Sequence, residues 1–143
     1  MRMLFIGSSS NLCRMLISKF KNKKIFTVST KRLNTDYFIK DYSEKNIEKL
    51  SKFLLSKKSK FDRIVFFNGY HQLSTLRYIN PKLFFKIYKI NILVPLIFVS
   101  CLTKYNLVKQ NGSFIFIGSI ASELNEIGNS YYSSAKFTLK KII

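Results

Sequence analysis

Apolar residues along the chain fall into short solid blocks that alternate with stretches in which they recur every three or four positions. Met3-Leu4-Phe5-Ile6, closed by Gly7, predicts a buried strand. Leu12, Met15, Leu16 and Phe20 then lie on one helix face. Lys24-Ile25-Phe26-Thr27-Val28 has the β-branched and aromatic bias of a second strand, and Asp36-Tyr37-Phe38-Ile39 predicts a weaker third. Ser43 is placed to cap a helix whose apolar stripe is Ile47, Leu50, Phe53 and Leu54. Arg63-Ile64-Val65-Phe66-Phe67 predicts the fourth strand, ending at Asn68-Gly69. Pro81 is suited to open a long helix running to Tyr105, with a local kink expected at Pro95. Asn111-Gly112 turns the chain into a fifth strand, Ser113-Phe114-Ile115-Phe116-Ile117, and the chain from about Asn129 onward reads as helix.

Strands that are apolar on both faces and separated by amphipathic helices imply a parallel sheet covered on each side. The expected class is α/β, a doubly wound parallel sheet of about five strands, forming a single domain over 1–143. A composition of 47% apolar and 15% aromatic residues supplies the core for such a domain. Cys13 and Cys101 make neither a disulfide framework nor a metal set, which fits a reducing compartment. The opening residues lack the pattern of a secretory signal, and the apolar run Ile92–Val99 is too short to span a bilayer. The expectation is a soluble cytoplasmic protein without membrane contact.

Charge complicates this picture. Lys+Arg 25 against Asp+Glu 7 gives a formal net charge of +18. Such a balance ordinarily points to nucleic acid or an anionic surface. Yet most of these cations are lysines scattered between apolar residues at helical spacing. Arginine, which suits bidentate phosphate and base contacts, is scarce. The distribution reads better as a solvated lysine-rich surface, so a nucleic-acid partner is not expected. An anionic small ligand would still profit from the field.

In an open parallel sheet, ligands gather at the carboxyl ends of the strands. After the first strand, Gly7-Ser8-Ser9-Ser10-Asn11-Leu12 can present backbone N–H groups and a helix N-terminus to a pyrophosphate, or be an ordinary serine-rich turn. After the second come Lys31 and Arg32. An acid there would accept from a ribose 2′-hydroxyl, whereas a cation accommodates a 2′-phosphate. Any dinucleotide is therefore expected to be NADP(H) in preference to NAD(H), unless these are two solvated surface cations. Asp41 is placed to accept from an adenine amino group or to solvate a turn. Asn68-Gly69 would let the backbone approach a ribose, or simply make a loop.

Tyr132 and Lys136 are four apart and share a helix face. An ammonium close to a phenol favours the phenolate, which suits the phenol to acid/base work. The spacing alone is weak, since Tyr78 with Lys82 and Tyr105 with Lys109 repeat it. Context singles out the last pair. Ser119 lies thirteen residues before Tyr132 at a strand end, where the other two pairs have Val65 and Ile92. Asn91 adds a polar side chain among the apolar residues of the long helix.

With Gly7–Cys13, Asp41, Asn68-Gly69, Asn91, Gly118-Ser119-Ile120-Ala121-Ser122 and Tyr132-Ser133-Ser134-Ala135-Lys136, the chain resembles the compact branch of the short-chain dehydrogenase/reductase family. The resemblance implies a Rossmann-like fold and hydride transfer between NADP(H) and a carbonyl or secondary alcohol. Tyr132 would be the acid/base. Lys136 would hold the nicotinamide ribose and Ser119 the reacting oxygen, and Asn91 would support a water-linked proton path. The expected cofactor contacts are Gly7, Ser9, Ser10, Asn11, Leu12, Lys31, Arg32, Asp41, Asn68, Gly69, Tyr132 and Lys136.

Two departures from the family pattern stand out. Asn11 and Cys13 occupy the places of its second and third turn glycines. The chain also stops seven residues after Lys136, without the family's last two strands. A short substrate side follows as an expectation, with a catalytically inactive truncated remnant as the alternative and a basic nucleic-acid-binding module behind it. Family members commonly pair through the helices of Asn91 and Tyr132, so a homo-oligomer is also expected.

Overall fold

The computed structural model of the chain describes residues 1–20, 23–33, 35–124 and 127–143. These residues form two compact units, 1–68 with 97–117, and 69–96 with 118–143.

The first unit holds the whole sheet. Strands β1 (Arg2–Ile6), β2 (Lys24–Ser29), β3 (Tyr37–Phe38), β4 (Phe61–Phe66) and β5 (Val108–Phe116) are all parallel, in the order β3-β2-β1-β4-β5. Order reverses between β2 and β4, on either side of β1, so the carboxyl end of β1 is the switch point of the sheet. Side chains alternate along each strand, and the two faces are covered by different helices. Met3, Phe5, Val65 and Phe67 pack on one face with Cys13 of helix α1 (Asn11–Lys19). On the other face Phe66 meets Phe98 at a centroid separation of 6.1 Å and stacks on Phe116 at 4.8 Å. Phe98 belongs to helix α4 (Val94–Lys104). Helix α2 (Glu44–Ser56) contributes the buried Ile47, Leu50 and Leu54. Fully burying each such side chain is worth roughly 1.5–3 kcal/mol. The doubly wound parallel sheet expected from the sequence is thus the observed architecture.

Three elements differ from expectation. β3 is only two residues long, because the Asp36 carboxylate accepts from both the backbone N–H and the hydroxyl of Thr27 at 2.8 and 2.7 Å. That carboxylate occupies the edge of β2 ahead of Val28, where pairing with β3 begins. β5 starts early, at Val108, and passes through an irregularity before Ser113 pairs with Arg63. The kink expected at Pro95 lies upstream of it.

This displaced kink is in the second unit. Helix α3 (Pro81–Tyr88) begins as predicted, with Pro81 in the first turn and Asn80 accepting from Leu83 N–H. A π turn over Lys89–Leu93 follows, closed by Val94 N–H donating to the Lys89 carbonyl. In a regular helix the Pro95 ring would strike the carbonyl four residues back, that of Asn91. One widened turn moves the disruption to residues that carry their own N–H groups. The stretch Pro81–Lys104 is long and apolar enough to cross a bilayer by length and composition, a test that core helices of soluble proteins also pass, and a third of its most apolar window is buried.

The second unit is completed by a 3₁₀ turn (Ile120–Ser122) and helix α5 (Ser130–Ile142). Tyr131 of α5 is buried against α3: its ring meets Phe84 edge to face at 5.4 Å, and its hydroxyl accepts from Asn80 N–H.

Candidate functional site

The first unit presents a turn built for close approach. Gly7 has φ +84°, and a Cβ there would stand 2.5 Å from the backbone nitrogen of Asn68. Only glycine lets the turn after β1 lie this close to the end of β4. Ser10 caps α1 by accepting from Cys13 N–H at 3.1 Å, and the Ser10 carbonyl takes Arg14 N–H. Of the four first-turn donors, those of Asn11 and Leu12 remain for an external acceptor. Ser9 and Ser10 flank them. Ser8 is 3% exposed, and its hydroxyl is buried without a hydrogen-bond partner. Asn11 points its carboxamide along the helix to Arg14. Cys13 is fully buried between helix and sheet, and burial pushes its thiol up to about 12, so it packs as a small hydrophobe.

Residues after the other strands are more committed to structure. Lys31 and Arg32 are both exposed, and the Arg32 guanidinium lies 4.8 Å from the centre of the Phe38 ring. Asp41 accepts from Ser43 N–H and the Asn46 side chain at 2.8 and 2.9 Å. Those contacts, the one with Ser43 foremost, hold its carboxyl below the usual range. Ser43 sits at the N-cap of α2 as expected, yet its own side chain caps nothing there. Asp41 supplies the ordering contacts at that terminus instead.

The second unit gathers Asn91, Ser119, Tyr132 and Lys136. Helix α5 packs against both the 3₁₀ turn headed by Ser119 and the π turn that carries Asn91. Asn91 is 1% exposed; its amide donates to the Tyr70 and Ile87 carbonyls at 2.8 and 2.9 Å. Its carboxamide oxygen is buried without a partner, 3.4 Å from where a Cβ on Gly69 would stand. The Ser119 hydroxyl accepts from Ala121 N–H at 3.2 Å. Lys136 is 6% exposed, and its ammonium lies 5.7 Å from the centre of the Tyr132 ring. Removal from water pushes the Lys136 pKa down, because burial disfavours the charged form.

Sequence reasoning missed His71. Its Nε2 lies 2.9 Å from the Asn129 carboxamide oxygen, and its ring meets Tyr132 edge to face at 4.8 Å. A lone histidine with no motif around it gave no signal. A cavity of about 580 Å³ lies beside α5, lined among others by Ser122, Ser130, Ser133 and Phe137. Ser130, Ser133 and Phe137 share one helix face, while Tyr132 and Lys136 share another.

Donors at a helix start beyond a glycine turn, in a doubly wound parallel sheet, place the chain in the Rossmann-like α/β class by architecture. The family model for short chain dehydrogenases matches residues 2–143, and the chain belongs to that family. Solved structures agree on the fold. A short chain dehydrogenase family protein from Francisella tularensis superposes with TM-score 0.83 at 16% identity, covering 99% of this chain and 60% of that one. A 4-hydroxyisoleucine dehydrogenase complexed with NADH gives TM-score 0.82 at 16% identity, with 99% and 65% covered. The aldohexose dehydrogenase of Thermoplasma acidophilum gives 0.84 at 12% identity, with 99% and 58% covered. The chain thus spans about three fifths of the first of these neighbours. A search of curated proteins finds no match to the sequence.

Proposed function

We propose that the chain is the nucleotide-binding and proton-transfer part of an NAD(P)-dependent oxidoreductase acting on a carbonyl or secondary alcohol. The observation that carries this reading is the grouping of Tyr132, Lys136, Ser119 and Asn91 in one compact unit of a short chain dehydrogenase. A nicotinamide dinucleotide, when bound, supplies or accepts the hydride. The open N–H groups of Asn11 and Leu12, with the hydroxyls of Ser9 and Ser10, fit its pyrophosphate, and the unpartnered Ser8 hydroxyl marks a polar environment there.

Tyr132 gives a proton to a carbonyl oxygen, or takes one from an alcohol, while the Ser119 hydroxyl donates to that same oxygen. Lys136 holds the nicotinamide ribose and keeps a positive charge beside the phenol. Asn91, with its carboxamide oxygen open, holds the water through which Lys136 is reprotonated. Within the first unit Asn68 and Asp41 suit the adenosine side, and Lys31 with Arg32 favour NADP(H) over NAD(H), since Thr30, Lys31 and Arg32 after β2 include no acid. Exposed Phe85 on α3, Leu93 in the π turn that carries Asn91, and Phe137 on α5 favour pairing of two copies along these elements.

Dinucleotide titration followed by fluorescence, together with turnover on a panel of carbonyl substrates, tests the reading. NADPH is expected to bind more tightly than NADH. Tyr132→Phe is expected to remove turnover, by roughly 10² or more, with a far smaller loss of dinucleotide affinity, since only the phenol's own contact to the dinucleotide goes with it. Equal turnover in that variant refutes the acid/base role.

A further inference from the structure

We propose that His71 is a positioning residue for Tyr132, clamping the phenol ring of the candidate acid/base from a strap formed by residues 70–74. The proposal deepens the reading above and rests on it for its catalytic meaning.

The strap is fastened at three points. The Tyr70 carbonyl accepts from the Asn91 amide at 2.8 Å. His71 Nε2 meets the Asn129 carboxamide oxygen at 2.9 Å. Ser74 N–H donates to the Gly128 carbonyl at 2.7 Å. Two of the three anchors lie in the two residues before α5, so the strap is tied to the start of the helix that carries Tyr132. The middle anchor is chemically directional. A carboxamide oxygen only accepts, so Nε2 is the donor in this contact.

Asn129 forgoes an ordinary use to make this contact. It stands at the N-cap of α5, where an asparagine oxygen normally takes a first-turn N–H for about 1 kcal/mol of helix stability. No such cap bond forms, and the side chain, 5% exposed, reaches the imidazole instead. The His71 ring then stands edge to face on Tyr132, centroids 4.8 Å apart at 76°. The Lys136 ammonium lies 5.7 Å from the centre of the same ring. The phenol is thus held by contacts from two chain segments, which limits rotation of its hydroxyl away from a reacting oxygen. Misplacement of a reacting group by about 1 Å costs on the order of 10² in rate, so such a clamp is worth having.

Two readouts test the clamp. His71 is the chain's sole histidine, so its carbon-bound imidazole protons give unambiguous NMR signals. Ring-current shifts on these signals are expected to vanish in Tyr132→Ala, persist in Tyr132→Phe, and shrink in Asn129→Ala as the imidazole loosens. Signals unmoved by Tyr132→Ala overturn the proposal whatever the turnover. The kinetic readout is His71→Ala, expected to lower kcat about ten-fold with dinucleotide affinity unchanged and only a small fall in melting temperature, and His71→Phe, expected to recover most of the lost kcat by restoring an aromatic edge. Wild-type kcat in His71→Ala, alongside an inactive Tyr132→Phe, overturns the positioning role while the oxidoreductase reading stands. Full turnover in Tyr132→Phe defeats that reading instead, and the NMR comparison alone then decides whether the clamp exists.

Discussion

Gly7→Ala separates two costs that the turn after β1 combines. The alanine must hold φ +84°, in a region that costs an L-residue about 1–2 kcal/mol. Its Cβ must also sit 2.5 Å from Asn68 N, 2.9 Å from Asn68 Cα and 2.9 Å from the Phe67 carbonyl carbon. All three are backbone atoms at the end of β4 and cannot rotate away, so overpacking adds roughly 1–3 kcal/mol. Gly128→Ala isolates the first cost, because φ there is +80° and the nearest atom, Leu73 Cδ2, is 4.0 Å off. Gly118→Ala isolates neither, having nothing within 4 Å. Urea unfolding of the three variants should rank them at about 2–5, about 1 and about 0 kcal/mol of destabilisation. With a slope of roughly 1–3 kcal/mol per M, Gly7→Ala should lower the midpoint by about 1–2 M at unchanged slope. Equal costs at positions 7 and 128 would show that the turn does not press on β4, and the argument for its geometry would fail.

Lys136→Met should abolish turnover and remove the alkaline pH dependence of stability that burial of the ammonium produces. The folded-state pKa lies below the unfolded one, so the unfolded chain binds more protons between the two values. Wild-type stability should therefore rise with alkaline pH through that window, and the variant's should not, as read by melting temperature against pH. Asp41→Asn addresses the opposite end of the scale. The Asp41 pKa is lowered in the fold, so its stabilisation is present above the unfolded value and lost as pH falls through the folded one. The asparagine variant should lose stability at neutral pH and show a flatter acid limb. Asn91→Leu removes two donated bonds and leaves the Tyr70 carbonyl unpaired, so roughly 1–3 kcal/mol should be lost in thermal or urea unfolding. A neutral result there would mean that the strap is held without Asn91.

What the sequence determined by itself is whatever depends on neighbours within a turn or a strand. Solid apolar blocks around Phe5, Val28 and Ile64 specified strands buried on both faces, and hence a parallel sheet. Pro81 marked the first turn of α3, and the four-residue spacing put Tyr132 and Lys136 on one face of α5. The chemistry of a lone residue was illegible. His71 meets Asn129 across 58 positions of sequence, and Gly7 is required because Asn68, equally remote, passes close behind it. Such meetings depend on where the chain returns after a crossover, which no local period records. The same holds for Asp36, which takes the Thr27 donors and shortens β3, and for Asp41, which orders the start of α2 beside an N-cap serine whose own side chain caps nothing. The break near Pro95 was legible as a need, since a proline cannot continue the helix ladder. Its place, at the π turn of residues 89–93, was decided by packing around the buried Asn91, whose amide holds the Tyr70 and Ile87 carbonyls together.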